Sequence, residues 1–289
     1  MNFHRFLEAC GLAPKRSPYP SDRIIRCETE THQHKKNGAY WWDGSRGWAQ
    51  NWENANGVQW FNDPHAKEWT EQDKREWKER QAREKRERAL RQVRAAQEAK
   101  AMIKASIQGP HPYLEYKGLG DCTGLVLGEK LIIPMMDCQD YSVIGAQTIA
   151  LEDNGWRKKM LTGQRAKGAI YRIGNGQQPE VILCEGHATG LSVAKALRAM
   201  NMHATVCVTF SSGNLVYVAG LLGGTRMVFA DNDGSGTGQR AAEETGLPWV
   251  MADQEGFDAN DLYKIHGIHA VTKKIIELRK KACIYKKKV

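Results

Sequence analysis

The sequence predicts an α/β protein built on a parallel sheet with helices on its faces. Between residues 180 and 251, short apolar runs alternate with helical stretches, a pattern typical of βαβ units. The segment before it, about 110 to 176, holds β-type runs joined by turn signals and is rich in Lys and Arg, which predicts a basic α+β subdomain. Neither Gly nor Pro occurs between Pro64 and Gly109, so a long charged helix is predicted there.

Shifts in composition along the chain divide it into four predicted regions. They are a small Trp-rich, β-rich N-terminal domain (1–64), the charged helix as a linker (65–108), the basic subdomain (109–176), and the α/β domain with a short basic tail (177–289).

The N-terminal region carries five tryptophans among turn residues, namely Trp41, Trp42, Trp48, Trp52 and Trp60. This pattern predicts short strands joined by tight turns. One interpretation is that these side chains fill the core of a small domain. The alternative is that Trp42 and Trp48 stack on the bases of a single-stranded nucleic acid, so that the region binds template or a partner protein. The same region holds Cys10, Cys27, His32 and His34, whose spacing fits no common zinc finger and leaves zinc binding open.

The predicted linker helix is charged along its whole length. Residues 67–100 include 12 basic and 8 acidic side chains, many as acid-first i,i+4 pairs such as Glu84/Arg88, the favourable order on a helix. A sustained apolar seam is missing, which argues against a coiled coil. The pattern favours a solvated spacer over a nucleic-acid-binding element.

Composition narrows the class of partner and the compartment. The chain has 289 residues and a formal net charge of +9, which favours a polyanionic partner such as nucleic acid. No apolar run approaches the ~18 residues of a membrane span, and the N-terminal stretch lacks the pattern of a secretory signal. Seven cysteines without a C-x-x-C pair predict free thiols and a cytoplasmic location.

Basic side chains crowd around two glycines in the stretch RKKMLTGQRAKGAIYRIG. A solvated hairpin with charged edges would account for them. Glycines among cations also allow the backbone to approach phosphate closely, so these residues are candidates for nucleic-acid or nucleotide binding: Lys158, Lys159, Arg165, Lys167 and Arg172.

Two predicted strands of the α/β domain end in carboxylates. Glu185 follows the run VILC, and Asp231 and Asp233 follow the run MVFA. Open parallel sheets bind ligands beyond the carboxyl ends of their strands, so neighbouring strands would bring these side chains together. A divalent cation relieves the repulsion of close carboxylates, which predicts an Mg²⁺ or Mn²⁺ site that Asp258 and Asp261 could extend.

Common sequence motifs account for these acidic residues less well than a metal site does. DNDGSG could be an ordinary Asx turn. An EF-hand loop beginning at Asp231 would require Glu where Ala242 stands. Neither a dinucleotide-binding G-x-G-x-x-G after a strand nor a phosphate-binding G-x-x-x-x-G-K-[ST] loop occurs.

Three stretches of the α/β domain read VILCEGHATG, VCVTFSSGNLVYVA and MVFADNDGSGTGQRAA. They resemble the TOPRIM domain of plasmid- and phage-encoded primases, which carries a Glu-Gly after its first strand and an Asp-x-Asp after a later one. FDANDLY is similar to the family's trailing Asp-rich motif. The preceding stretches HPYLEYKGL, LIIPMMD, GAQTIA and LTGQRAKGAIYRIG look like the basic half of the primase core. The resemblance covers residues 110 to 265 and implies a TOPRIM-type parallel sheet.

The resemblance implies a DNA primase, a nucleotidyltransferase that synthesises short RNA primers on single-stranded DNA from ribonucleoside triphosphates by a two-metal mechanism. Glu185, Asp231 and Asp233 would be its catalytic and metal-binding carboxylates. Lys159 and Lys167, with Arg165, would hold phosphates. Because the chain lacks a phosphate-binding loop for ATP-driven movement, a replicative helicase acting in trans is the expected partner, and a membrane is not.

Two other functions remain open. A TOPRIM nuclease would use the same carboxylates to activate water, but it gives no reason for the basic segment to match primases. A catalytically silent single-stranded-DNA-binding replication factor would have no need to keep Glu185, Asp231 and Asp233 together.

Overall fold

The computed structural model describes residues 2–21, 23–54, 56–63, 70–174 and 179–286. The chain divides into two compact units, Met1–Gln81 and Ala82–Val289. A large mixed sheet and eight helices within the described residues confirm the predicted α/β class. The predicted boundaries at 64/65 and 176/177, and the end of the predicted basic tail (287–289), lie outside the described residues.

The first unit contains one short helix and a four-stranded sheet in which every strand pairs antiparallel with the next: α1 (Phe3–Ala9), β1 (Ile25–Cys27), β2 (Gly38–Trp42), β3 (Arg46–Asn51) and β4 (Val58–Asn62). Asn2 begins α1 by accepting a hydrogen bond from the Arg5 N–H (2.9 Å), a side-chain cap that satisfies a helix-end donor.

Aromatic packing around Phe3 builds the core of this unit. The Phe3 ring stacks on Trp42 at 4.8 Å and meets Phe61 edge-on at 5.3 Å. Gly47 makes this approach possible, because a Cβ there would lie 2.5 Å from the Phe3 ring. The sequence thus places a small residue on β3 where α1 brings the Phe3 ring.

Helix α2 (Glu71–Ala105) begins in the first unit and ends in the second. Its 35 residues correspond to about 52 Å at 1.5 Å per residue, as the run without Gly or Pro predicts. Toward its C-terminal end, Ala95 and Ala99 are buried, and Ala99 packs with Ile132 and Ala146 of the second unit.

The second unit contains ten strands and six further helices. They are β5 (Ile107–Gly109), α3 (Pro112–Tyr116), β6 (Gly124–Leu127), β7 (Lys130–Asp137), β8 (Val143–Glu152), β9 (Gly155–Met160), β10 (Ala169–Ile173), β11 (Glu180–Cys184), α4 (His187–Ala199), β12 (Thr205–Val208), α5 (Ser212–Ala219), β13 (Thr225–Ala230), α6 (Thr237–Glu244), β14 (Trp249–Met251), α7 (Ala259–His266) and α8 (Ile268–Lys286).

One mixed sheet joins these strands in the order β14-β13-β11-β12-β10-β7-β6-β5, with β8 beside β7 and β9 beside β8. The predicted parallel pairing holds for the block β14-β13-β11-β12. From β10 onward the pairing is antiparallel, so the basic segment continues the same sheet.

Apolar cores lie on both faces of the parallel block. On one face α4 and α8 cover residues such as Ile182 and Phe229, and on the other α5 and α6 cover residues such as Leu183 and Val228. Because successive residues of a strand point to opposite faces, the continuous apolar runs VILC and MVFA are what a sheet buried on both sides requires. Ligands therefore have access at the ends of these strands.

Within the described residues, no helix combines the length and apolar character that a membrane span requires.

Candidate acidic active site

The two acidic strand ends are neighbours. Strands β11 and β13 pair in parallel, with Leu183 opposite Val228. Glu185 and Asp231 therefore leave the sheet at the same edge, as predicted from the carboxyl ends of parallel strands.

The two side chains line one cavity of about 180 Å³, called here the acidic cavity. Its walls are Lys117, Gln147, Lys158, Glu185, Gly186, His187, Ala188, Thr189, Phe210, Asp231 and Asp258. The antiparallel part of the sheet contributes Gln147 and Lys158, the ends of β11 and β13 contribute Glu185 and Asp231, and the start of α7 contributes Asp258.

Glu185 stands between the end of β11 and the start of α4. Its carbonyl accepts a hydrogen bond from the Phe210 N–H (2.9 Å), which fixes it against the end of β12. Burial and the nearby Asp233 carboxylate raise the pKa of Glu185, while Lys158 and a hydrogen bond from the Ser212 backbone act in the opposite direction. The carboxyl group thus holds a proton more readily than an ordinary glutamate.

Asp231 lies deeper, and its Oδ1 is buried without a hydrogen-bond partner. Burial is the main cause that raises the pKa of Asp231 to about 7, followed by the charges of Asp258 and Glu185. The start of α6 presses against its backbone, because a Cβ on Gly238 would lie 2.2 Å from the Asp231 carbonyl oxygen. A buried carboxylate oxygen without a hydrogen-bond donor can be satisfied by a bound cation or by a proton.

We expect this carboxyl group to make the metal-free protein less stable as pH rises. The pKa of Asp231 is raised from 3.8 to about 7, so between these values the folded chain binds more protons than the unfolded chain, and stability falls with increasing pH. Asp231→Asn removes this contribution. Thermal unfolding in a chelator should show the variant gaining stability over wild type between pH 4 and 7 and keeping the gain above it. A difference that does not change with pH would contradict this assignment.

The Asp233 carboxylate is hydrogen-bonded, unlike Oδ1 of Asp231. Its Oδ1 accepts hydrogen bonds from the Ser235 N–H (2.9 Å) and the Thr237 N–H (3.1 Å), and its Oδ2 accepts one from the Gly238 N–H (3.0 Å). Burial raises the pKa of Asp233, but a hydrogen bond from the Ser235 side chain, together with these backbone bonds, outweighs burial and lowers it. The side chain supports the start of α6, so replacing it should reduce stability, whereas repulsion alone would predict little change or a gain.

Asp258 and Asp261 form a capping box at the start of α7. Asp258 accepts from the Asn260 and Asp261 N–H groups (2.6 and 2.9 Å), and Asp261 accepts from the Asp258 N–H (3.2 Å). Asp258 also lines the acidic cavity, where Thr189 Oγ1 donates to its Oδ2 (2.9 Å). Asp261 is held at the helix start, away from the lining of the cavity.

Some of the donor atoms around Asp231 could take part in holding a divalent cation. In the part of the chain that the structure describes, no three His, Cys, Asp or Glu side chains are grouped to hold a metal by themselves. Mg²⁺ commonly binds one or two carboxylates together with phosphate oxygens and water. Glu185 and the unpartnered Asp231 Oδ1 supply such a pair.

The predicted basic residues do not gather in one place. Lys158 lines the acidic cavity. Loss of hydration and the neighbouring Lys117 charge lower the pKa of Lys158, against the opposing effect of the carboxylates.

The other four predicted cations have other contacts. Lys159 forms an ion pair with Glu152, and Arg165 forms one with Asp137. Lys167 Nζ lies 4.3 Å from the centre of the Tyr217 ring, and the Arg172 guanidinium lies 4.7 Å from the centre of the Tyr141 ring.

The cavity-lining residues that were not predicted from the sequence include Lys117, Gln147 and His187. Lys117 follows α3, and its carbonyl accepts from Asn260 Nδ2 (2.9 Å), which ties this segment to α7. Gln147 is buried on β8. His187 is 4 % exposed and packs on Tyr171, and burial lowers its pKa to about 3, so its ring is neutral. Lys117 and Gln147 lie in the primase-like stretches HPYLEYKGL and GAQTIA, and this position could have identified them as candidate site residues.

The predicted aromatic residues belong to the first unit. Trp42 stacks on Phe3 in its core, as the core interpretation predicts, whereas Trp48 lies on the opposite face of the sheet. Cys10 and Cys27 are buried in the same core, and His32 Nδ1 lies 2.7 Å from a Glu53 carboxylate oxygen.

Comparison with known proteins does not assign the chain. No family model matches the sequence, and no curated protein shows significant similarity to it.

Proposed function

We propose that the chain is a DNA primase of the TOPRIM type. The observation that carries this proposal is the acidic cavity: Glu185 and Asp231 come from adjacent parallel strands, and two lysines face them. Carboxylates beside cations in one cavity suit a reaction that brings together a divalent cation and a polyphosphate. The primase-like stretches supply both sides of this cavity.

The proposed reaction joins the 3′-oxygen of one ribonucleotide to the α-phosphorus of the next. A P–O bond forms as the bond to pyrophosphate breaks, and the 3′-hydroxyl loses its proton. In this proposal the Glu185 carboxylate accepts that proton, because its pKa is raised towards neutral pH.

Asp231 would hold the divalent cation, which when bound would neutralise phosphate charge and favour the ionised hydroxyl, and Glu185 is left to accept the proton. Asp233 would contribute after exchanging hydrogen bonds at the start of α6. Lys117 and Lys158 would hold the triphosphate, because both line the cavity and ammonium groups form charge-assisted hydrogen bonds with phosphate oxygens.

The partners in this proposal are single-stranded DNA, ribonucleoside triphosphates and a replicative helicase supplied in trans. All seven cysteines are free, which supports the proposed cytoplasmic location.

The two neighbouring lysines of β9 test the role of the cavity. Lys158→Ala removes a cation that lines it, and we expect ribonucleotide incorporation to fall about 10- to 100-fold, as the loss of a charged hydrogen bond predicts. Lys159→Ala is the matched control, since that side chain pairs with Glu152 and does not line the cavity; exposed pairs of this kind contribute little. Incorporation of labelled ribonucleotides on single-stranded DNA measures both variants. Equal losses in the two would argue against a phosphate site at Lys158.

A further inference from the structure

The sheet of the first unit carries three tryptophans side by side. Trp41 pairs with Trp48, and Trp48 pairs with Trp60, across β2, β3 and β4. Residues that face each other across antiparallel strands lie on the same side of the sheet, about 4.5–5.5 Å apart. Trp41, Trp48 and Trp60, called here the tryptophan row, therefore form a continuous aromatic strip.

The tryptophan row points away from the core. The residues next to its members along the strands, including Trp42, Ala49 and Phe61, pack in the core around Phe3, and alternate residues of a strand point to opposite faces. Trp60 is 71 % exposed. The core therefore uses one set of aromatics, and the row lies on the other face of the sheet, where Trp60 is exposed and Trp41 and Trp48 are half-buried.

Guanidinium groups accompany the row on its face of the sheet. Arg46 is two residues before Trp48 on β3, and Arg26 pairs across strands with Ala39, two residues before Trp41. The Arg26 guanidinium donates from Nε and Nη2 to the Lys36 carbonyl oxygen (3.1 and 2.5 Å). It also lies 4.1 Å from the centre of the Trp52 ring, which is itself 46 % exposed.

Two carboxylates near the row are engaged in turns and loops. Asp43 accepts from the Ser45 and Arg46 N–H groups (2.8 and 2.6 Å). Glu53 accepts from Thr29 Oγ1 (2.7 Å) and Asn37 Nδ2 (2.6 Å). Flat apolar rings with guanidinium groups beside them complement a ligand that has flat apolar faces and negative charge.

We propose that the tryptophan row is a base-stacking surface for single-stranded DNA. Every base offers a π-face when it is unstacked, and phosphates lie beside the bases for the arginines. Duplex DNA hides those faces, so the row should prefer single strands. The proposal rests on the proposed primase function, because priming requires a single-stranded template, and it assigns template contact to Trp41, Trp48 and Trp60 in place of Trp42.

Trp60→Ala in the full-length chain tests the row. We expect its affinity for a fluorescein-labelled dT oligonucleotide to fall about 5- to 150-fold, the loss typical of one base–aromatic stack. The slope of affinity against salt should stay unchanged, because no phosphate contact is removed. Trp60→Phe should keep most of the affinity. Val58→Ala is the matched control: this exposed side chain lies on the same strand and face but offers no ring, and its loss should have little effect.

Fluorescence anisotropy without metal or ribonucleotides keeps this test separate from catalysis. Unchanged affinity of Trp60→Ala, or equal binding of a duplex and a single strand by wild type, would overturn the stacking surface whatever the chain synthesises. An effect of Val58→Ala as large as that of Trp60→Ala would overturn it too, in favour of an apolar protein-binding face. Binding through the row by a chain that makes no primers would contradict only the primase.

Discussion

Asp231→Asn is expected to abolish primer synthesis while the chain stays folded and binds single-stranded DNA. The buried Asp231 Oδ1 has no hydrogen-bond partner, and in the proposed function it holds the cation that neutralises phosphate charge. Such stabilisation amounts to several kcal/mol, so the rate of ribonucleotide incorporation should fall by about 10²-fold or more. Incorporation on single-stranded DNA at saturating Mg²⁺ measures the loss.

Asp253→Asn is the matched control for this variant. Asp253 also follows a strand of the parallel block, but its side chain is 90 % exposed and pairs with Lys274. We expect near-normal synthesis from it. Full activity of Asp231→Asn, or an equal loss in both variants, would remove the catalytic role of the acidic cavity.

Glu185→Gln should lower incorporation by about 10²- to 10⁴-fold, the range of a positioned acid–base group. The amide keeps the size of the side chain but cannot accept the 3′-hydroxyl proton. Affinity for single-stranded DNA should remain near that of wild type, because the proposed stacking surface is elsewhere. Glu180→Gln at the other end of β11 is the control, since Glu180 pairs with Arg279 (2.7 Å).

The same experiment separates a primase from a nuclease when the DNA strand is labelled as well. A primase incorporates ribonucleotides and leaves the strand intact. Metal-dependent cleavage by wild type that is lost in Glu185→Gln, with no ribonucleotide incorporated, would replace the primase by a nuclease.

The elements of the parallel block could be predicted from the sequence because local pattern decides them. The run VILC became β11, and ATGLSVAKALRAM lies within α4 and its C-cap. The order in which the strands pair was harder to predict from the sequence. That β10 joins the block antiparallel depends on contacts between distant segments, which strand periodicity does not encode.

Within the acidic site, the sequence identified the right strand ends but not the use of each carboxylate. Asp233 turns to the N–H groups of Thr237 and Gly238, because a carboxylate just before a helix finds donors at its start. Asp231 lies before that turn, and its Oδ1 remains unpaired. The spacing Asp-x-Asp by itself does not distinguish the two.

Side chains alternate between the two faces of a strand, so this rule predicts that two pairs of neighbouring site residues point in opposite directions. Lys158 and Lys159 point to opposite faces of β9, and Trp41 and Trp42 to opposite faces of β2. Which face meets the cavity or the core depends on the strand's neighbours, such as Phe3 beside Trp42. Lys117 and Gln147 reach the cavity from separate elements, and only the folded chain brings them there.

Template-dependent synthesis of RNA is the decisive measurement for the proposed primase. The full-length chain is incubated with primer-free single-stranded DNA, labelled ribonucleoside triphosphates and Mg²⁺ or Mn²⁺, and the products are separated on denaturing gels. We expect short, alkali-labile products that require the template and the metal and are absent with Asp231→Asn. A folded wild-type chain that binds single-stranded DNA but incorporates no ribonucleotide with either metal would contradict the primase.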